Sequence, residues 1–176
     1  AVENHALDCP VELDLGDARV MGDLVVPKDA VGVVVFAHGS GSSRHSARNR
    51  SVARVLNDAG IGTLLFDLLT PVEESDRANV FDVELLARRL TAAVLWVRRQ
   101  PAVAELPVGL FGASTGAAAA LWASAAPGAG ISAIVSRGGR PDLAARRLGA
   151  VKAPTLLIVG GEDHVVLELN QSAADR

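Results

Sequence analysis

Residues 108–122 read VGLFGASTGAAAALW. Residues 108–111 are short and continuously apolar, as a strand covered on both faces would be. A helix starts near Ser114 and runs through Ala117, Ala118, Ala119 and Ala120 toward Pro127 and Gly128. Between strand and helix lies Gly112-Ala113-Ser114-Thr115-Gly116, a G-x-S-x-G sequence. A serine on so sharp a turn is forced into a strained conformation, and the flanking glycines let neighbouring chain pass close. Its hydroxyl is then held out above the strand ends, which predicts Ser114 as a nucleophile. A plain N-cap serine is the alternative reading, but a cap needs no glycine on both sides.

Working outward, residues 31–37, 61–66, 131–135 and 155–159 repeat the apolar strand pattern. Between them, Val52, Val55, Leu56 and Ala59 recur at helical spacing before Gly60. Val83, Leu86, Leu90, Val94 and Val97 do the same before Pro101. Strand and helix in alternation predict an α/β fold with a doubly wound, mostly parallel sheet and right-handed crossovers. Near the start, Val11, Leu13 and Leu15 alternate with Glu12 and Asp14, and a second extended run carries Val20, Leu24 and Val26. Period two around a Gly16-Asp17 turn predicts an N-terminal antiparallel hairpin with one wet face.

Residues 1–176 are expected to form a single domain. Residues 166–176 have helical character, and a helix outside an α/β sheet normally leads back to another strand. The chain is therefore expected to be truncated at its C-terminus. The edge formed by residues 155–159 is then open, and a homodimer through that sheet edge is the expected assembly.

Composition narrows the chemistry. With 17 Lys and Arg against 20 Asp and Glu, the net charge is −3, so no basic field exists to hold a phosphate backbone. No nucleic acid partner is expected, and 3% aromatics supply no stacking platform. Apolar runs are too short for a membrane span, no signal peptide is visible, and the single Cys9 makes neither a disulfide nor a thiolate metal site. A soluble, cytoplasmic protein with no metal and no organic cofactor is expected.

His38-Gly39-Ser40-Gly41-Ser42-Ser43 follows the 31–37 strand. It contains neither G-x-G-x-x-G nor a Lys-bearing P-loop, so a nucleotide cradle is poorly supported. As an H-G-x-G element it offers backbone N–H groups to the oxygen that turns negative when an acyl carbon becomes tetrahedral. Ser40 and Thr115, the residue after the nucleophile, are the expected oxyanion hole. Residues 68–79, with Glu73, Glu74 and Asp76, form an acidic connection too short for a cap domain, so the pocket is expected to be open.

HGSGSS, GASTG and GGEDHVV, each after a strand, resemble the α/β-hydrolase superfamily, and SRGGRPDL is similar to its dienelactone-hydrolase-like branch. The resemblance implies hydrolysis of a carboxylic ester or lactone through an acyl-enzyme, with a small-molecule substrate. It places the nucleophile at Ser114 and the acid at Asp163, which also sits on the rim where open α/β sheets carry their sites. Asp142 is the competing acid, although a position before a short helix suits an N-cap. The superfamily's histidine comes last in chain order. His5 in the N-terminal tail, His38 in the oxyanion loop and His164 beside Asp163 do not fit that place, so the catalytic histidine is expected beyond Arg176. His45 fits a pocket wall and equally an exposed helix start. Arg137, with Arg44 and Arg140, is expected on loops of the same rim, where solvated arginines are the default reading and lining the pocket or attracting a carboxylate is the alternative. A non-catalytic domain that keeps the fold is the rival reading.

Overall fold

The computed structural model describes residues 5–176, and the side chain of His5 lies outside what is described. Seven strands form one sheet: β1 (His5–Asp14), β2 (Arg19–Pro27), β3 (Gly32–Ala37), β4 (Ile61–Phe66), β5 (Val108–Ala113), β6 (Ile131–Arg137) and β7 (Thr155–Ile158). Their order is β1-β2-β4-β3-β5-β6-β7. β3 to β7 are mutually parallel, and the β1–β2 hairpin joins antiparallel at the β4 edge, as the alternation of residues 11–26 predicts.

Helices cover both faces. α1 (Ala47–Asp58) lies on one, and α4 (Val83–Arg98) and α5 (Thr115–Ser124) lie on the other. α2 (Pro71–Glu74) and α3 (Arg77–Val80) are single turns in the β4–α4 connection, and α6 (His164–Ala174) follows β7. The main core lies beneath α4 and α5, where Leu90, Leu110, Val97 and Ala117 to Ala120 are all but inaccessible. Such burial explains why α5 is apolar all round. A smaller core lies beneath α1, with the rings of Phe36 and Phe111 stacked at 4.9 Å between centroids. On β7, Leu156 and Ile158 remain exposed.

One expectation needs correction. α1 does not face the sheet with Val55, which is exposed; Asn49, Ala53 and Asn57 are its buried positions. Asn57 is tolerated there because its Nδ2 donates to the Ile61 carbonyl at 2.9 Å and to Thr63 Oγ1 at 3.1 Å. An apolar count cannot see a buried amide whose hydrogen bonds are satisfied. The acidic 68–79 connection, for its part, carries two single helical turns. Thr70 caps α2 in a capping box with Glu73, and Asp76 caps α3.

Candidate active site

β3, β5 and β7 run in the same direction, so His38, Ser114 and Asp163 all come to the carboxyl-end rim of the sheet, where open α/β folds bind ligands. Ser114 sits between β5 and α5 at φ 52° and ψ −121°, a region that non-glycine residues rarely adopt. Although it occupies the N-cap position, its side chain makes no capping hydrogen bond, so the plain-cap alternative fails. No side chain among the described residues hydrogen-bonds its hydroxyl. The turn needs both glycines. A β-carbon on Gly116 would stand 2.1 Å from the Ala37 carbonyl oxygen, and one on Gly112 would stand 2.4 Å from Ala117 Cα.

The 38–43 loop abuts this elbow: a β-carbon on Gly39 would lie 3.0 Å from Ser114 Cβ. Gly41 takes φ +68°, and the Ser42 N–H donates to the Gly39 carbonyl at 3.2 Å, so the loop turns sharply. Ser40 and Thr115 line one small cleft, together with Leu68, Leu69 and Val80. Among the described residues, no acceptor takes the amide N–H of either residue. Thr115 is buried, and its hydroxyl also has no partner. The structure thus brings Ser114, Ser40 and Thr115 together.

Asp163 is placed differently. It is exposed and caps α6, its Oδ1 accepting from the Val166 N–H at 3.2 Å. β6 separates its strand from β5, so at about 4.8 Å per strand the two rims lie roughly 10 Å apart and no direct contact with Ser114 arises. The competing Asp142 is not a cap. Arg140 grips it in a bidentate pair at 2.9 and 2.7 Å, which holds its carboxyl below the usual carboxylate range.

The histidines divide clearly. Both ring nitrogens of buried His38 are engaged, Nε2 accepting from the Leu68 N–H at 3.1 Å and Nδ1 donating to the Gly39 carbonyl at 2.9 Å. His45 is exposed just before α1 beside Arg50 and does not line this cleft. His164 is exposed at the first position of α6. The backbone of His5 is no loose tail, since it begins β1 opposite Pro27.

The rim arginines are already occupied. Arg44 pairs with Asp67 and, at 3.7 Å, with Asp23. Arg137 does not line the cleft: it donates to Asn49 Oδ1 at 2.8 Å and lies over the Phe111 ring. Burial, and then neighbouring Arg48, lower its pKa. Sequence reasoning missed Arg89, a charged residue on the apolar stripe of α4, which is buried and held by Glu73 and Asp17. The hydrogen bond from Arg89 lowers the Glu73 carboxyl to about 2. The available signal was the second arginine of Arg88-Arg89, which falls three residues after Leu86 on the apolar stripe. Among the described residues, no cluster of three or more potential ligands could hold a metal ion, and no helix is long and apolar enough to cross a membrane.

A mostly parallel sheet with an antiparallel N-terminal pair and a strained serine on a strand-to-helix elbow defines the α/β-hydrolase fold. Residues 20–174 match the model of the dienelactone hydrolase family, and the chain belongs to that family. It is 50% identical to the dienelactone hydrolase of Anabaena variabilis, with a TM-score of 0.92 over 98% of this chain and 82% of that one. A dienelactone hydrolase-like promiscuous phosphotriesterase from metagenomic libraries shares the fold at 23% identity and a TM-score of 0.75, over 97% of this chain and 77% of that one. Two Mycobacterium tuberculosis proteins, from strains CDC 1551 and H37Rv, are each 64% identical over 166 residues and carry the name "Putative phosphoribosyl transferase". The match takes in 94% of this chain but spans only 38% of those relatives.

Proposed function

We propose that this domain is a serine hydrolase that cleaves a carboxylic ester or lactone through an acyl-enzyme. The observation that carries the reading is Ser114, strained on its elbow, free of any capping bond, and next to two uncommitted backbone N–H groups. Ser114 Oγ attacks the acyl carbon, its proton passes to an imidazole, and the carbonyl oxygen takes the negative charge between the N–H groups of Ser40 and Thr115. Collapse of the tetrahedral intermediate expels the alcohol, which receives that proton. Water then releases the acid by the same steps in reverse order. None of the described imidazoles reaches Ser114. In this reading the base is a histidine other than these, oriented by Asp163.

The transferase name of the mycobacterial proteins belongs to chains of which this domain matches a minority, and we do not carry it to this domain. The 38–43 loop leads into a buried histidine with both nitrogens engaged, and no lysine stands in it. The reading is tested with a fluorophosphonate probe and p-nitrophenyl acetate. Labelling at Ser114, lost in Ser114→Ala together with turnover, supports it. Labelling at another serine overturns the assignment of Ser114, and neither labelling nor turnover leaves the non-catalytic reading.

A further inference from the structure

Arg89 is only 2% exposed and stands at the head of a hydrogen-bonded chain that ends on the Gly39 carbonyl. Its Nη2 donates to Glu73 Oε1 at 2.6 Å and its Nε to Asp17 Oδ1 at 3.0 Å, so two carboxylates fix the guanidinium. Its Nη1 donates to the Leu68 carbonyl at 3.4 Å. The Leu68 N–H donates to His38 Nε2, and His38 Nδ1 donates to the Gly39 carbonyl. An amide N–H can only donate and a carbonyl can only accept, so with both bonds made Nε2 is the acceptor and the ring proton sits on Nδ1. The Gly39 carbonyl belongs to the same planar trans peptide as the Ser40 N–H, and the two point in opposite directions. Whatever fixes the carbonyl therefore aims the N–H.

We propose that Arg89 and His38 are positioning residues that aim the Ser40 N–H at the reacting acyl oxygen, Arg89 acting through both backbone polar groups of Leu68. This rests on the serine hydrolase reading with Ser40 as an oxyanion donor. Donors of this kind accelerate a reaction because they are oriented before it begins, so a peptide released to swing loses its effect without leaving the site.

The test compares ester turnover and Ser114 labelling by an uncharged fluorophosphonate, with urea unfolding of each variant measured alongside. Loss of a whole oxyanion donor costs about 10² to 10³ in kcat, so Arg89→Met and His38→Leu are each expected to lower kcat about tenfold or more, with KM changed less than about twofold. Both break one chain, so the double variant should fall no further than the worse single variant. His38→Gln, whose Oε1 can accept from the Leu68 N–H, should recover most of the loss. Independent, multiplying losses in kcat overturn the proposal, as does a loss of stability with kcat unchanged. If the wild-type protein neither labels nor turns over, the serine hydrolase reading fails, and imidazole nitrogen NMR decides the positioning chain separately. A ring protonated on Nδ1 whose signals move in Arg89→Met supports it; an Nε2-protonated ring, or one indifferent to Arg89→Met, overturns it.

Discussion

The Ser114 N–H donates to the Arg137 carbonyl at 3.3 Å, tying the elbow to the last residue of β6. The Arg140 N–H returns to the Ser114 carbonyl at 3.2 Å, so both backbone polar groups of the serine are held from the neighbouring strand end. A residue in such a conformation costs on the order of 1–3 kcal/mol and persists only where its surroundings over-determine it. Arg137 serves the elbow through its backbone, while its guanidinium turns away to Asn49 and the Phe111 face.

The closest approach in the site is that of α5 to the end of β3, and it sets the first prediction. Gly116→Ala would press a methyl group against the Ala37 and His38 carbonyl oxygens, at 2.1 and 2.5 Å. Both are backbone atoms that cannot rotate aside. Urea unfolding should show a loss of about 1–3 kcal/mol or more, and Ser114 should label slowly because its helix has been pushed back. Gly160→Ala is the matched control. Nothing lies within 4 Å of its new methyl, and its midpoint should stay near that of the wild type.

Features set by local pattern were legible in the sequence. Each predicted parallel strand lies where an apolar run stands, and Gly112 to Gly116 announced the elbow through the spacing of its glycines. What the pattern could not show were polar groups satisfied over long separations. Arg89 meets Asp17 across 72 positions and Leu68 across 21, and no local window contains such pairs. Asn57 on the buried side of α1 was hidden for the same reason. Asp142 was misread although its partner stands two residues away, because a carboxylate at the start of a helical turn looks identical whether it caps or pairs.

Asp163 separates a structural from a chemical role within one side chain. Its observed task is to cap α6, and asparagine caps a helix about as well as aspartate. Asp163→Asn should therefore leave the urea midpoint nearly unchanged. If the carboxylate orients the catalytic imidazole, turnover should fall by about 10⁴. Asp142→Asn should show the reverse, losing up to about 1 kcal/mol with its Arg140 pair while kcat changes little. A collapse of turnover in Asp142→Asn alone would move the acid to the loop after β6.

The Glu73–Arg89 pair predicts how the fold responds to acid. Arg89 lowers the Glu73 carboxyl from 4.5 to about 2, so the native protein keeps this side chain ionised at pH values where the unfolded chain protonates it. Above about pH 4.5 both states are ionised and the stabilising contribution is fully present. As the pH falls from there, the unfolded state binds a proton that the native state does not, and the contribution drains away until it is lost near about pH 2. Glu73→Gln removes the titrating group. The stability gap between wild type and Glu73→Gln should be constant between about pH 7 and 5.5, and should narrow steadily at about pH 4 and about pH 3. Urea midpoints at these four values measure it. A gap that stays constant through about pH 3 would show that Arg89 takes its stability from Asp17 and the Leu68 carbonyl instead, and that Glu73 serves mainly as the capping-box partner of Thr70.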